Sequence, residues 1–273
     1  MHQSVIDRFV DFTVPLEGRV LWMYLDVLGL VTTGVGNLID PVGAALQLPW
    51  KLPDGSLAPK DLVQREWQAL KARKDLAKMH YKYAATITTV RLTEEDVTAL
   101  VRSKLLSNEK LLKQAFPHWD NWPADAQLFA SSMAWAVGPG WPKIFGNCSN
   151  FLRIEDWENA SLCAAIKTEG NPGIIPRNAQ NRLCLANALA VTEQHLDPET
   201  LYWPEAAHAE DKPIASEAKA ELDLQAAKHA ISIGEWAFNQ INTGHHGPAH
   251  LDEDFDSEHP TDPAPPPDEE PNA

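Results

Sequence analysis

Residues 17–37 constrain the fold of this chain more than any other stretch, because glycines divide a run rich in β-branched residues. Gly29, Gly34 and Gly36 are suited to tight turns, and the valines and threonines between them favour extended strands. An amphipathic helix is predicted before this run, over 4–16, and long helical patterns follow it. The sequence therefore predicts an α+β fold in which a small β-hairpin or three-stranded sheet accompanies a larger helical part.

Helical periodicity, interrupted by proline-rich turns, continues through the rest of the chain. Residues 60–85 are predicted to form one helix, and Thr93 begins the next as the first residue of a capping box with Asp96. We expect that helix to break near Ser107. The apolar run over 124–137 is predicted to be a central buried helix. Further helices are predicted over 144–152, 155–168, 176–195 and 214–242.

The negative charge of the chain is concentrated at its C-terminal end. Residues 247–273 contain nine Asp or Glu and no Lys or Arg, and without them the formal net charge is −6 rather than −15. This acidic, proline-rich tail is predicted to be disordered over 246–273. The remainder lacks the positive charge on which nucleic-acid binding relies, so we expect no nucleic-acid partner.

Neither a metal site nor a membrane segment is expected. Cys148, Cys163 and Cys184 are an odd set without a Cys-x-x-Cys pair, which favours three buried thiols over a disulfide framework or a zinc site. Histidines near the acidic tail are expected to be solvated, and metal binding is the alternative for them. No apolar run is long enough for a membrane helix and no leader opens the sequence, so we expect synthesis in the cytoplasm without a signal peptide.

Two carboxylates in the first stretch carry the chemical hypothesis. Hydrolysis of a glycosidic bond needs one carboxyl group that protonates the leaving oxygen and a second that serves the attack on the sugar. Glu17 lies at the predicted end of the first helix, and Asp26 precedes a glycine turn, with Thr32 six residues later. The alternatives are a solvated Glu at a helix end, an Asx-turn at Asp26 and an ordinary strand residue at Thr32.

The order of these residues resembles the catalytic segment of phage-type lysozymes, glycoside hydrolase family 24. The matching residues are Glu17-Gly18, Tyr24-Leu25-Asp26 and Gly29-Leu30-Val31-Thr32-Thr33-Gly34-Val35-Gly36. Asn37 departs from the pattern, since the family usually has His there. A looser resemblance to the helical lobe of that family covers 125–190. The resemblance implies a lysozyme-like domain over 1–245, with a β-rich lobe at about 17–60, a helical lobe at about 60–243 and the active-site cleft between them.

The resemblance also implies an activity and a role for each residue of the motif. Glu17 would be the general acid, Asp26 the base that activates water, and Thr32 the hydroxyl that helps to place this water. The enzyme would be an inverting muramidase that needs no cofactor. Its substrate would be peptidoglycan, cut at the β-1,4 bond between N-acetylmuramic acid and N-acetylglucosamine.

Three further residues are expected to contact the glycan. Leu38 and Trp135 fall where the family lines its sugar cleft, and a core position is the alternative for Trp135. Arg182 is expected to face either the cleft or a helix end.

The closest subgroup that the resemblance suggests is the lysozyme-like domains of bacterial antibacterial effectors of the type VI secretion kind. Such a protein would be carried by a secretion apparatus into the periplasm or cell wall of a target bacterium, and an immunity protein would inhibit it in the producer. The acidic balance and the extra residues over 41–125 favour this interpretation over a phage-like endolysin. A non-catalytic glycan-binding module with the same fold and an enzyme that acts on chitin-like polymers are further alternatives.

Overall fold

The computed structural model describes residues 1–79, 81–169 and 171–207, and these residues have an α+β fold. Helices dominate, and the sheet of this part of the chain has three antiparallel strands in the order β1-β2-β3. The predicted α+β class, with a small sheet beside a larger helical part, is therefore confirmed. The helix predicted over 214–242 and the acidic tail predicted over 246–273 lie outside the described residues. Within the described ranges, no helix combines the length and the apolar character needed to cross a membrane.

One helix precedes the three strands of the sheet, and helices follow them. In chain order they are α1 (Gln3–Glu17), β1 (Val20–Leu25), β2 (Val31–Gly34), β3 (Asn37–Leu38), α2 (Val42–Ala45), α3 (Lys60–Ala72), α4 (Glu94–Ala115), α5 (Ala124–Val137), α6 (Trp141–Ile144), α7 (Gly146–Arg153), α8 (Trp157–Leu162) and α9 (Ile174–Gln194). Short 3₁₀ helices lie at Lys74–Lys78, Tyr81–Thr86 and Trp119–Asn121.

The sheet places three side chains in one row. Tyr24 of β1 lies opposite Thr32 of β2, and Thr32 in turn lies opposite Leu38 of β3. Residues directly opposite one another in antiparallel strands project from the same face of the sheet. Tyr24, Thr32 and Leu38 therefore share one face of the sheet, although each belongs to a different strand.

Gly34 and Asn37 fix the turn between β2 and β3. Gly34 has a φ of +64°, and a Cβ at this position would lie 2.8 Å from Oδ1 of Asn37. The same oxygen accepts the backbone N–H of Val35 at 3.0 Å, and the Asn37 side chain is buried. Asn37 therefore has a structural role at the position where the sequence pattern led us to expect His.

The core of the helical part is built around α5. Every residue of α5 except Val137 is buried, and the helix packs against α1, α4 and α9. Six tryptophans of the described residues are buried: Trp50, Trp119, Trp122, Trp135, Trp141 and Trp157. Aromatic side chains of this size supply much of the apolar area that stabilises a domain.

A buried carboxylate ties the last described segment to the core. Asp125 of α5 is fully buried and accepts hydrogen bonds from Asn187 Nδ2 at 2.9 Å and from the N–H groups of Tyr202 and Trp203 at 2.9 and 3.1 Å. Burial raises the pKa of Asp125. The segment over 197–207 is thereby fixed beneath α1, where the Trp203 ring lies 5.2 Å from that of Phe12.

Several helix boundaries differ from those predicted. The capping box at Thr93 and Asp96 is confirmed, but α4 continues without a break at Ser107, because its buried residues keep one helical period throughout. The helix predicted over 60–85 ends at Ala72, and two 3₁₀ helices follow it. Helix α8 is also shorter than the predicted range 155–168.

The turn at Gly34 can be tested by comparing two glycine substitutions. Gly34→Ala should lower the free energy of unfolding by at least about 1–2 kcal/mol, since a non-glycine residue is strained at positive φ and its Cβ would meet Asn37. Gly43→Ala is the control, because a Cβ on Gly43 meets nothing within 4 Å and alanine favours helix α2. Urea denaturation measures both. Equal stability of the two variants would contradict this account of the turn.

Candidate active site

Glu17 is the last residue of α1 and is held at the edge of the core. Gly18 ends the helix with a φ of +75°, and its N–H donates to the carbonyl oxygen of Val14 at 2.8 Å. Arg177 of α9 donates from Nη2 to Glu17 Oε1, and the side chains of this ion pair are only 2% exposed for Arg177 and 15% exposed for Glu17. The structure therefore does not support the alternative of a solvated Glu at a helix end.

Arg177 is oriented by α5. Its Nη1 donates to the carbonyl oxygen and to Oγ of Ser132, at 3.2 and 3.0 Å. Burial lowers the pKa of Arg177 and the neighbouring Glu17 raises it, and an arginine in a protein keeps its charge. A buried, fixed cation thus faces the Glu17 carboxyl group.

Lys104 of α4 supplies a second cation near Glu17. Its Nζ lies 4.3 Å from the centroid of the Trp135 ring, within the range of a cation–π interaction, and 3.4 Å from the carbonyl oxygen of Gly36. Gly36 also adjoins Glu17, since a Cβ on this glycine would lie 4.0 Å from Glu17 Oε2. Burial lowers the pKa of Lys104, and the charge of Glu17 raises it.

Burial raises the pKa of Glu17 above its usual range, although the positive charges of Arg177 and Lys104 lower it. Desolvation is the larger effect, because a carboxylate loses much of its hydration in this position. A raised pKa lets the carboxyl group keep its proton at higher pH, as a general acid must. The two cations then face the carboxylate that forms once the proton has left.

Asp26 follows β1 and is shaped by the turn that leads to β2. Its Oδ1 accepts the N–H groups of Leu28 and Leu30, at 2.9 and 2.8 Å, so the Asx-turn considered as the alternative is present. Both bonds go to the same oxygen, and among the described residues none goes to Oδ2. The turn therefore orients the carboxylate and leaves one oxygen for another partner.

Tyr24 is related to each of the three predicted catalytic residues. Burial raises the pKa of Tyr24, and the charges of Glu17 and Asp26 each raise it further. Thr32, directly across the sheet from Tyr24, is buried, and its Oγ1 donates weakly to the carbonyl oxygen of Leu30 at 3.4 Å. Tyr24 thus senses the charge of both carboxyl groups and has Thr32 as its partner across the sheet.

The three predicted glycan contacts have different surroundings. Leu38 is 55% exposed on the same sheet face as Thr32. Trp135 is buried, and its ring packs against Phe9 at 5.3 Å, so the core alternative describes it. Arg182 is exposed on α9 and lies roughly 140° around the helix from Arg177. A contact of Arg182 with a glycan stays a prediction.

Two residues of the site, Arg177 and Lys104, were not identified from the sequence. The helical periodicity of the sequence could have indicated both residues, because each falls on the buried face of its helix. The buried positions of α9 include Ile174, Asn181, Cys184 and Leu185, and those of α4 include Val97, Val101, Leu105 and Leu112. A long cation placed on such an apolar face needs an anionic partner.

Comparisons with known proteins do not identify the site. Among residues 1–79, 81–169 and 171–207, no group of three or more His, Cys, Asp or Glu side chains is arranged to hold a metal ion. No protein-family model matches the sequence, and a search of curated proteins gives no match. A function for the site therefore has to be inferred from its geometry and its charges.

The charge of Lys104 should be measurable at Glu17. Lys104→Met removes a positive charge that favours the carboxylate, so the pKa of Glu17 should rise further. Carbon-13 NMR titration of the Glu side chains gives this pKa directly. Lys104→Arg should keep it near the wild-type value, and Lys110→Met, on an exposed position of α4, is the control. A pKa of Glu17 unchanged in Lys104→Met would contradict the assigned interaction.

Proposed function

We propose that this protein is a muramidase, a glycoside hydrolase that cleaves the β-1,4 bond between N-acetylmuramic acid and N-acetylglucosamine in peptidoglycan. The observation that carries the proposal is the pair formed by Glu17 and Asp26. One carboxyl group is desolvated, with a raised pKa, and the other is oriented by a turn that leaves its Oδ2 without a hydrogen bond from the described residues. Acid/base glycosidases need two such carboxyl groups, a protonated one that acts as the acid and an ionised one that acts as the base.

In the proposed reaction Glu17 donates its proton to the glycosidic oxygen as the bond to the sugar breaks. The carboxylate that remains is stabilised by Arg177 and Lys104, which are already in place and need no rearrangement. Asp26 accepts a proton from the attacking water through its free Oδ2, and the Thr32 hydroxyl helps to place this water. Water attacks the anomeric carbon from the side opposite to the leaving group, so the configuration inverts.

The proposed architecture is lysozyme-like. In this arrangement the sheet, with Asp26 and Thr32, and the helical part, with Glu17 and Arg177, form two lobes with the glycan between them. The small antiparallel sheet followed by a mostly helical chain supports this proposal. The exposed side chain of Leu38, on the sheet face that carries Thr32, is then the apolar surface nearest to the sugar ring.

The proposed setting is bacterial antagonism. As an antibacterial effector the protein would be delivered by a secretion apparatus and would act in the periplasm or cell wall of the target. A producing cell would need an immunity protein that blocks the site. The acidic composition of the chain supports an effector over an endolysin, because bacterial walls are themselves anionic and a dedicated lysin gains from positive charge.

Glu17→Gln is the direct test of the general acid. The amide keeps the size of the side chain and an oxygen that accepts from Arg177, but it has no proton to transfer. Clearing of purified peptidoglycan should fall by at least about 10²-fold. Glu95→Gln, exposed on α4, is the matched control and should be as active as wild type. A folded Glu17→Gln variant with near-normal activity would exclude the proposed mechanism, and inactive wild-type protein would favour the non-catalytic glycan-binding module.

The roles of Asp26 and Thr32 predict a stereochemical outcome. Fresh products should show the inverted anomer by proton NMR, since water is the direct nucleophile. Asp26→Asn keeps an oxygen for the N–H groups of Leu28 and Leu30, so it should fold normally, yet it should lose activity by about 10²-fold or more. Thr32→Ser should retain more activity than Thr32→Val. Retention of configuration by the wild-type protein would instead make Asp26 a nucleophile.

A further inference from the structure

Two of the three cysteines lie side by side between α7 and α8, remote in sequence from the catalytic motif. Cys148 in α7 is buried, and Cys163 at the end of α8 is half-buried. Both thiols lie within hydrogen-bond distance of one atom, the carbonyl oxygen of Ala160, at 3.7 Å from Cys148 Sγ and 3.6 Å from Cys163 Sγ, and Cys163 Sγ also donates to the carbonyl oxygen of Asn159 at 3.3 Å. The two sulfurs can therefore be no farther apart than the sum of their distances to the Ala160 oxygen.

The environments of the three thiols differ. Burial raises the pKa of the Cys148 thiol, and the neighbouring Cys163 raises it further. Cys184, in contrast, is fully buried in α9 beside Asp125. Disulfides need sulfurs that approach each other with suitable Cβ directions, and two thiols that meet at one backbone oxygen between adjacent helices come close to this requirement.

We propose that Cys148 and Cys163 are an intramolecular disulfide site, which is oxidised by thiol–disulfide exchange with a low-molecular-weight disulfide. The proposal goes beyond the hydrolytic function and does not depend on it. Structural disulfides form and persist in oxidising compartments and are rare in the reducing cytoplasm. The Cys148–Cys163 site would therefore hold two thiols where glutathione is reduced and one disulfide where the surroundings are oxidising, while Cys184 stays a thiol in both.

The exchange begins at Cys163, which is the more accessible thiol. Cys163 loses its proton to solvent, and its thiolate attacks one sulfur of the external disulfide. The external S–S bond breaks, a mixed disulfide forms on Cys163, and one small thiolate leaves and takes up a proton. Cys148 then loses its proton, attacks the Cys163 sulfur and releases the second small thiol. Two protein thiols are oxidised, and one external disulfide is reduced to two thiols.

The new bond would secure the loop that leads to Arg177. The segment after Cys163 is held by Asn178, whose Oδ1 accepts the N–H of Ile166 at 2.9 Å and whose Nδ2 donates to the carbonyl oxygen of Ile166 at 2.7 Å. Asn178 is the neighbour of Arg177 in α9. A link from Cys163 back to α7 would fix the other end of this segment, and it would reduce the conformational freedom of the unfolded chain.

The experiment equilibrates the full chain with oxidised glutathione and follows its thiols. The number of free thiols in denaturant should fall from three to one, the intact mass should fall by two hydrogen atoms, and peptide mapping should link Cys148 to Cys163. Cys184→Ala should form the same link. The oxidised wild type should melt higher than the reduced form by about 5–10 °C, whereas Cys163→Ser should melt at one temperature under both conditions.

Three results would overturn the proposal. The first is three free thiols after equilibration, and the second is a stable glutathione adduct on Cys163 that Cys148 does not displace. The third is a disulfide that involves Cys184 or a second copy of the chain. Peptide mapping of the wild-type protein distinguishes all of them, so the conclusion does not rest on the folding of any variant.

Discussion

The ion pair between Glu17 and Arg177 is the interaction on which the rest of the site depends. It joins the end of α1 to α9 across the core, and Ser132 of α5 fixes the arginine from behind. Buried charges are tolerated only when they are paired and hydrogen-bonded, so this pair fixes how three helices pack. The same pair sets the chemistry, because the desolvation that burial imposes on Glu17 exceeds the attraction of two nearby cations. Fold and reactivity therefore have one cause at this position.

The α+β class and the turns around the candidate site could be predicted from the sequence, because both depend on local rules. Alternation, turn glycines and a capping residue act over a few positions, and the strands around 29–36, the cap at Thr93 and the buried helix over 124–137 follow from them. The predicted helix boundaries were wrong where tertiary contacts determine how far a helix extends. Local sequence favoured a break in α4 at Ser107, yet the buried side chains on one face hold the helix together. Helix α8 ends before its predicted limit, and the backbone of Ile166 is bonded instead to the side chain of Asn178 in α9.

The electrostatics of the site could be predicted only in part. Glu17, Asp26 and Thr32 belong to one short motif, so their order was visible, whereas Arg177 and Lys104 reach the same place from distant helices. Their positions on buried helical faces show that they are enclosed, but sequence periodicity gives no information on which carboxylate they meet. The balance between burial and charge at Glu17 depends on those contacts and so became visible only in three dimensions.

The way in which α1 is anchored separates the two halves of the chemistry. The proposed proton donor, Glu17, is attached to the helices, because Trp203 packs on Phe12 and Arg177 binds Glu17. The proposed base, Asp26, directly follows β1, and only Gly18 and Arg19 lie between the end of α1 and the start of β1. In the proposed mechanism, a tilt of the sheet about this two-residue joint would change the gap between Glu17 and Asp26. A ligand that holds the joint in a tilted position would then block the proposed hydrolysis without contacting either carboxylate.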